Sequence, residues 1–305
     1  MADIVILGVF VADTAYRAER QPRMGETILG TSFVLGPGGK GSNQSVACGR
    51  LKADVAFITR LGKDAFADMA IKTWKEAGVT PAVIETPESY TGAAYIFIEN
   101  GTGNNAIIIS PGAAALISPT DIEANAALIR GAKVFVTQLE QPIDGAVRAL
   151  EIAKQAGVTT ILNPAPAAAL PESIYKLCDY VTPNESEAEG LTGIAVSSVD
   201  DARRAADALL AKGVGAAIIT LGEKGALLHT SKSSDLVPAY KVGPVVETTG
   251  AGDAFNGGFA VGLSRGFSPV EAVKFGSAVA GISVTRPGTA PSMPSLEEAI
   301  AVYRN

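Results

Sequence analysis

A chain of 305 residues, 47% hydrophobic and 18% charged, is long enough for one large α/β domain or two smaller ones with a full core. Its net charge of −6, with both signs interspersed, gives no nucleic-acid footprint, and no apolar run reaches the roughly 20 residues of a membrane span. A lone histidine, His229, excludes multi-histidine metal sites and any Ser-His-Asp enzyme built on another histidine. Cys48 and Cys178 lack metal-ligand spacing and fit a reduced, cytoplasmic protein.

Ile4–Leu7 reads as a continuous, β-branched strand of a parallel sheet rather than a signal peptide, since no basic segment or cleavage site accompanies it. The turn that follows, Gly8-Val9-Phe10-Val11-Ala12-Asp13, has one glycine where a dinucleotide fold needs Gly-x-Gly-x-x-Gly, which counts against a nicotinamide-dependent oxidoreductase. Asp13 stands at the C-terminal end of that strand, where open α/β sheets bind ligands, although a turn-capping role would also suit it. Residues 14–20 and 27–35 look extended around Gly25. Residues 91–99 and 106–110 form a second extended pair around the loop Asn100-Gly101-Thr102-Gly103-Asn104. Four strands outside the βα rhythm predict a small projecting sheet, spanning about 14–35 and 91–110. It could act as a lid or pair with another subunit.

Gly36-Pro37-Gly38-Gly39-Lys40-Gly41-Ser42-Asn43-Gln44 superficially resembles a P-loop, but Val34 and Gly41 stand where that motif needs its first glycine and its hydroxyl. The alternative is a close-approach loop whose amides, with Lys40 and Asn43, bind a polyhydroxyl ligand ahead of a helix over 42–51; a glycine-rich loop with a solvated lysine is the plainer reading. Beyond residue 53 the βα alternation becomes regular. Strands are predicted at 55–59, 133–137, 159–162, 179–182 and 216–221, and helices at 65–77, 120–131, 143–157 and 199–212. This rhythm implies a mostly parallel sheet with helices on both faces. No linker divides the chain, so residues 1–305 read as one domain.

Polar residues recur where these strands end: Gln138-Leu139-Glu140, Asn163-Pro164-Ala165-Pro166, Thr182-Pro183-Asn184-Glu185-Ser186-Glu187 and Thr220-Leu221-Gly222-Glu223-Lys224-Gly225. Parallel strands put all their C-terminal ends on one edge, so four polar loops there look like a site. Asn184 and Glu187, three apart, suit a hydrated Mg²⁺ beside phosphates, or equally a helix-capping arrangement. Near the C-terminus, Glu247-Thr248-Thr249-Gly250-Ala251-Gly252-Asp253 runs into small apolar residues. If a helix opens at Asp253, the amides of Gly250, Ala251 and Gly252 are free at its positive end and suit a phosphate. Asp253 is then either a base placed beside that anion or a cap on a glycine turn.

With Gly38–Gln44, the Thr182–Glu187 segment and the Asp253 stretch in this order, the chain resembles the ribokinase (PfkB-type) family of sugar kinases from Ile4 to Pro294. The resemblance implies a three-layer α/β/α sandwich with a small β-sheet lid, and transfer of the γ-phosphoryl group of ATP to a pentose 5-hydroxyl. It implies Asp253 as the base, with Gly250, Ala251 and Gly252 as the anion hole. Asp13, Gly39, Lys40, Asn43 and Glu140 fall on sugar-contacting positions; Asn184, Thr220, Gly222, Lys224, Gly225, Gly252 and Ser277 on nucleotide-side positions; Glu187 on the Mg²⁺-linked acidic position. An activating K⁺ is implied at Glu247, Thr249, Ser283, Arg286, Gly288 and Ser292, mostly through carbonyls, with Glu247 where Asp is usual. A lid-mediated homodimer is implied as well. Val11 stands where ribokinases usually carry an Asn that bonds the ribose, which makes 2-deoxyribose a rival substrate; a ketose or nucleoside kinase is a further alternative within the family. A non-enzymatic sugar-binding protein would leave Asp253 and its anion hole without a role.

Overall fold

The computed structural model describes residues 2–102 and 104–304; Gly103, in the loop expected between the paired strands, lies outside the described residues. Nine strands form the main sheet: β1 (Ile4–Leu7), β4 (Val55–Leu61), β5 (Val79–Glu85), β8 (Val134–Thr137), β9 (Thr159–Leu162), β10 (Tyr180–Val181), β11 (Ala216–Thr220), β12 (Ala226–Thr230) and β13 (Ser234–Val237). Their order is β13-β12-β11-β10-β9-β8-β1-β4-β5, parallel throughout except for the antiparallel edge of β12 and β13. The four remaining strands, β2 (Val11–Ala18), β3 (Ser32–Gly38), β6 (Thr91–Glu99) and β7 (Asn105–Gly112), make a separate sheet ordered β3-β2-β6-β7.

The helices are α1 (Lys40–Arg50), α2 (Ala65–Ala77), α3 (Pro119–Ala124), α4 (Ala126–Arg130), α5 (Ile143–Gln155), α6 (Glu172–Tyr175), α7 (Glu185–Thr192), α8 (Val199–Ala211), α9 (Ala251–Ser264), α10 (Pro269–Ser283) and α11 (Leu296–Tyr303). Strand alternation explains why they form two layers. In β1, Ile4 and Ile6 point into one core with Val46, Trp74 and Phe259, while Val5 and Leu7 point into the other with Ile129, Leu150 and Leu209. Helices α1, α2 and α9–α11 therefore cover one face, and α3–α5, α7 and α8 the other.

The neighbours of β1 are β4 on one side and β8 on the other, so connections leave it in opposite directions. Such a switch point opens a crevice at the C-terminal ends of the strands. Two local features differ from the sequence reading. The helix expected over 120–131 is two short helices broken at Asn125, whose Nδ2 donates to the Asp121 carbonyl at 2.9 Å instead of letting the turn continue. And α9 begins at Ala251, so Asp253 lies inside its first turn rather than at its start.

Candidate active site

Three segments converge at that crevice. The first is the turn from β3 into α1. Gly39 takes φ +88°, and a Cβ there would lie 2.5 Å from the Val9 carbonyl, so only glycine lets the chain pass this close to the end of β1. Lys40 opens α1, and its amide donates to Glu140 Oε2 at 2.8 Å, tying the turn to the loop after β8. Below it, the Trp74 indole of α2 donates to Ser42 Oγ at 2.9 Å and packs edge-on against Phe10 and Phe57. The first turn of α1 is thereby fixed from beneath.

The second segment is the N-terminus of α9. Gly250 caps it with φ +82°, and the described residues offer no hydrogen-bond partner to the amides of Gly250 and Gly252. The Ala251 amide, expected to be free, donates to the Thr248 carbonyl at 3.1 Å, because the turn closes on itself there. Asp253 is buried, and both its oxygens accept amide hydrogens: Oδ2 from Asn43 Nδ2 at 3.0 Å and Oδ1 from Gln44 Nε2 at 3.1 Å. The third segment is β2, which carries Val11 and Asp13 on one face. Val11 is buried opposite Gly38, and a Cβ on Gly38 would sit 2.2 Å from Asp13 Oδ2.

Three carboxylates, Asp253, Glu140 and Glu187, thus act on one ammonium, with Asp13 beside Asp253. Burial, and then the nearby Asp253, push Asp13 up to about 6. Burial pushes Glu140 up to about 7, against the pull of Lys40. Asp253 is raised by burial and restrained by Lys40, Asn43 and Gln44. Glu187 is raised by burial, with the Asn184 amide and Lys40 opposing. Burial lowers the Lys40 ammonium, but Asp253, Glu140 and Glu187 together outweigh it and leave it raised. So much carboxylate charge around one cation suits a ligand that brings hydroxyl donors and metal ions.

Beside this cluster, at the ends of β10 and β11, lies a cleft of about 770 Å³ lined by Asn184, Thr220, Gly222, Gly225, Gly252 and Ser277. Its apolar wall, Tyr240, Val242, Val245, Ala280 and Val284, was not read from the sequence. Lys224 does not line it: that side chain is exposed and donates to the Ser197 carbonyl at 3.1 Å. Asn184 and Glu187 form a reciprocal capping box on α7, which leaves Glu187 Oε1 free of the cap. On the far side of Gly250, Glu247 Oε2 accepts the Gly288 amide at 2.8 Å, and a Cβ on Gly250 would lie 3.2 Å from Thr289 Cα. The 286–292 segment therefore packs directly against the Gly250 turn that opens α9. Of the positions expected there, Ser283 and Ser292 are buried with hydroxyls bonded to nearby carbonyls, Arg286 pairs with Glu298, and Thr249 is exposed. His229 stands near the end of β12, away from the cleft, bonded to Ser234 and Asp207.

Residues 1–296 match the family model described as pfkB family carbohydrate kinase. The chain belongs to that family. A ribokinase from Staphylococcus aureus is 39% identical over 298 residues, covering 97% of both chains, and a deoxyribokinase from Salmonella typhi is 38% identical with the same coverage. Among solved structures, an Arabidopsis thaliana ribokinase complexed with ribose and ATP superposes with a TM-score of 0.93 at 29% identity, covering 100% of this chain and 99% of that one. The chain is an ATP-dependent sugar kinase of ribokinase fold, and its small β3-β2-β6-β7 sheet is the lid of that fold.

Proposed function

We propose that the chain transfers the γ-phosphoryl group of ATP to the 5-hydroxyl of D-ribose, with Asp253 as the general base. The observation that carries this is the placement of a buried, doubly held carboxylate one residue after two unpartnered amides at the positive end of a 14-residue helix. Asp253 takes the proton of the hydroxyl as its oxygen bonds to the γ-phosphorus and the bond to ADP breaks. The amides of Gly250 and Gly252 and the α9 dipole meet the charge on the transferring group. Asp13, Glu140, Lys40, Asn43 and the Gly39 turn hold the sugar hydroxyls, and the cleft from Asn184 to Ser277 takes the nucleotide.

Among the described residues no three His, Cys, Asp or Glu side chains cluster as a ready metal site. A Mg²⁺ that keeps its waters and leans on phosphates needs one carboxylate, and the free oxygen of Glu187 fits that need; when bound, such an ion neutralises phosphate charge. A monovalent cation such as K⁺ would be held mostly by backbone carbonyls among Thr249, Ser283, Arg286, Gly288 and Ser292, with Glu247 beside them, and would act through the Gly250 turn against which Thr289 packs. The lid exposes consecutive apolar residues in both edge strands, Phe33, Val34 and Leu35 and Ile107, Ile108 and Ile109. Neighbours in a strand face opposite ways, so one apolar face can cover the sugar and the other can meet a second copy in a homodimer. The buried free thiols of Cys48 and Cys178 suit a cytoplasmic setting.

A second reading, 2-deoxyribose as the substrate, is favoured by Val11. It is buried two residues before Asp13 on the same face, and it offers a sugar hydroxyl no partner. The test is kcat/KM for ribose, 2-deoxyribose, fructose and adenosine in the wild type and Val11→Asn. The variant should shift the ribose-to-deoxyribose ratio toward ribose by about 10- to 100-fold, equivalent to roughly 1–3 kcal/mol. An unchanged ratio means that Val11 does not meet the sugar.

A further inference from the structure

Behind Asp253 lies a buried circuit of side-chain amides that the proposed chemistry does not itself use. Gln44 is fully buried, and its Nε2 donates both to Asp253 Oδ1 at 3.1 Å and to Asn163 Oδ1 at 3.0 Å. Its Oε1 accepts from Gln138 Nε2 at 2.6 Å. Asn163 Nδ2 then donates to the Thr182 carbonyl at 3.2 Å, the Thr182 hydroxyl to Asn256 Oδ1 at 2.7 Å, and Asn256 Nδ2 to the Gly252 carbonyl at 2.8 Å. The circuit leaves from the carboxylate and returns to the residue before it, enclosing the first turn of α9.

Each link has only one workable direction. An ionised carboxylate accepts only, so Gln44 must turn its amide nitrogen to Asp253, and its oxygen must then face Gln138. The nitrogen of Gln138 must meet that oxygen, which among the described residues leaves Gln138 Oε1 buried without a partner. That oxygen is wedged where a Cβ on Gly8 would come within 2.4 Å and one on Gly41 within 2.9 Å, so two glycines keep the space that this orientation needs. The circuit thus fixes one amide direction at the carboxylate, from Gln138 through Gln44 to Asp253.

We propose that Gln44 is a positioning residue for phosphoryl transfer, and that Gln138 and Asn163 act through it. The circuit holds the Asp253 carboxylate in one rotamer, so that its remaining lone pairs meet the incoming hydroxyl. This rests on Asp253 being the base. The charged groups that face Asp253 are Lys40 from α1, Glu187 from α7, Asp13 from β2 and Glu140 after β8, and none belongs to the circuit.

Gln44→Leu keeps the volume and removes both donors. Its kcat is expected to fall about 10- to 100-fold with sugar KM within about threefold, and the acid limb of the kcat profile should move up by about one pH unit, because a donor to the ionised form is gone. Added to Asp253→Asn, the same change should cost nothing further. Gln138→Leu, which does not touch Asp253, should give the same signature at a few-fold size, and it decides the matter if Gln44→Leu does not fold. Unchanged kcat and pH limb in a folded variant, or an equal loss in the Asp253→Asn background, overturns the proposal. Retained turnover in Asp253→Asn alone overturns the base assignment instead.

Discussion

Gly38→Ala probes the sugar end without altering any charge. Gly38 does not adopt a positive φ, so alanine meets no backbone penalty; the obstacle is steric. The new Cβ would lie 2.2 Å from Asp13 Oδ2, 2.4 Å from Cγ and 2.5 Å from Oδ1. Ordinary contact begins about 3.4 Å away, so the whole carboxylate must retreat by roughly 1 Å. A hydrogen bond from a sugar hydroxyl to a charged oxygen contributes about 1.5–3 kcal/mol, and a shift of that size forfeits most of it. At about 1.4 kcal/mol per factor of ten, sugar kcat/KM should fall roughly 10- to 100-fold, carried mainly by KM, with the KM for ATP unchanged. Steady-state kinetics with each substrate varied in turn measure this, and thermal unfolding confirms that the variant is folded. A folded Gly38→Ala enzyme whose sugar KM stays within twofold of the wild type would refute the placement of Asp13 on the sugar.

Two further outcomes follow from the site. Asp13 titrates near 6 in the fold against 3.8 when unfolded, so the native state binds the extra proton between those values and this group's contribution to stability falls as pH rises through that window. Asp13→Asn should therefore be more stable than the wild type at pH 8 by up to about 3 kcal/mol, seen as a higher unfolding temperature, with the gap closing toward pH 4 while sugar affinity is lost; lower stability at pH 8 would contradict this. Glu247→Ala removes the acceptor of the Gly288 amide beside the anion hole. It should raise the K⁺ concentration for half-maximal turnover by about tenfold in a KCl titration at constant ionic strength, and an unchanged titration would place the cation elsewhere.

Much of the scaffold was legible from local signals. Helix α2 was bounded by sequence alone because Asp64 caps its start and Gly78, at φ +80°, ends it in the left-handed conformation. The polar ends of β8 to β11 meet on one edge because parallel strands leave no other arrangement. Distance in the chain hid the rest. Gln44, Gln138 and Asn163 are separated by 94 and 119 residues in their bonded pairs, and no spacing rule links them. The apolar wall of the cleft beside Asn184 and Thr220 comes from the irregular 239–246 segment and from α10, whose residues read as ordinary core. Lys224, which the family resemblance puts on the nucleotide side, has a side chain that reaches instead toward the Ser197 carbonyl. The antiparallel β12–β13 edge was there to be found, since Thr230-Ser231-Lys232-Ser233 is a turn between two apolar runs.

In the proposed mechanism Asp253 accepts the proton of the attacking hydroxyl. Single-turnover phosphorylation of ribose by Asp253→Asn, with ribose and ATP binding measured in parallel by calorimetry, tests it directly. Both ligands should bind within a few-fold of the wild type while the chemical step slows by about two to four orders of magnitude. Phosphoryl transfer at the wild-type rate would show that the proton goes elsewhere.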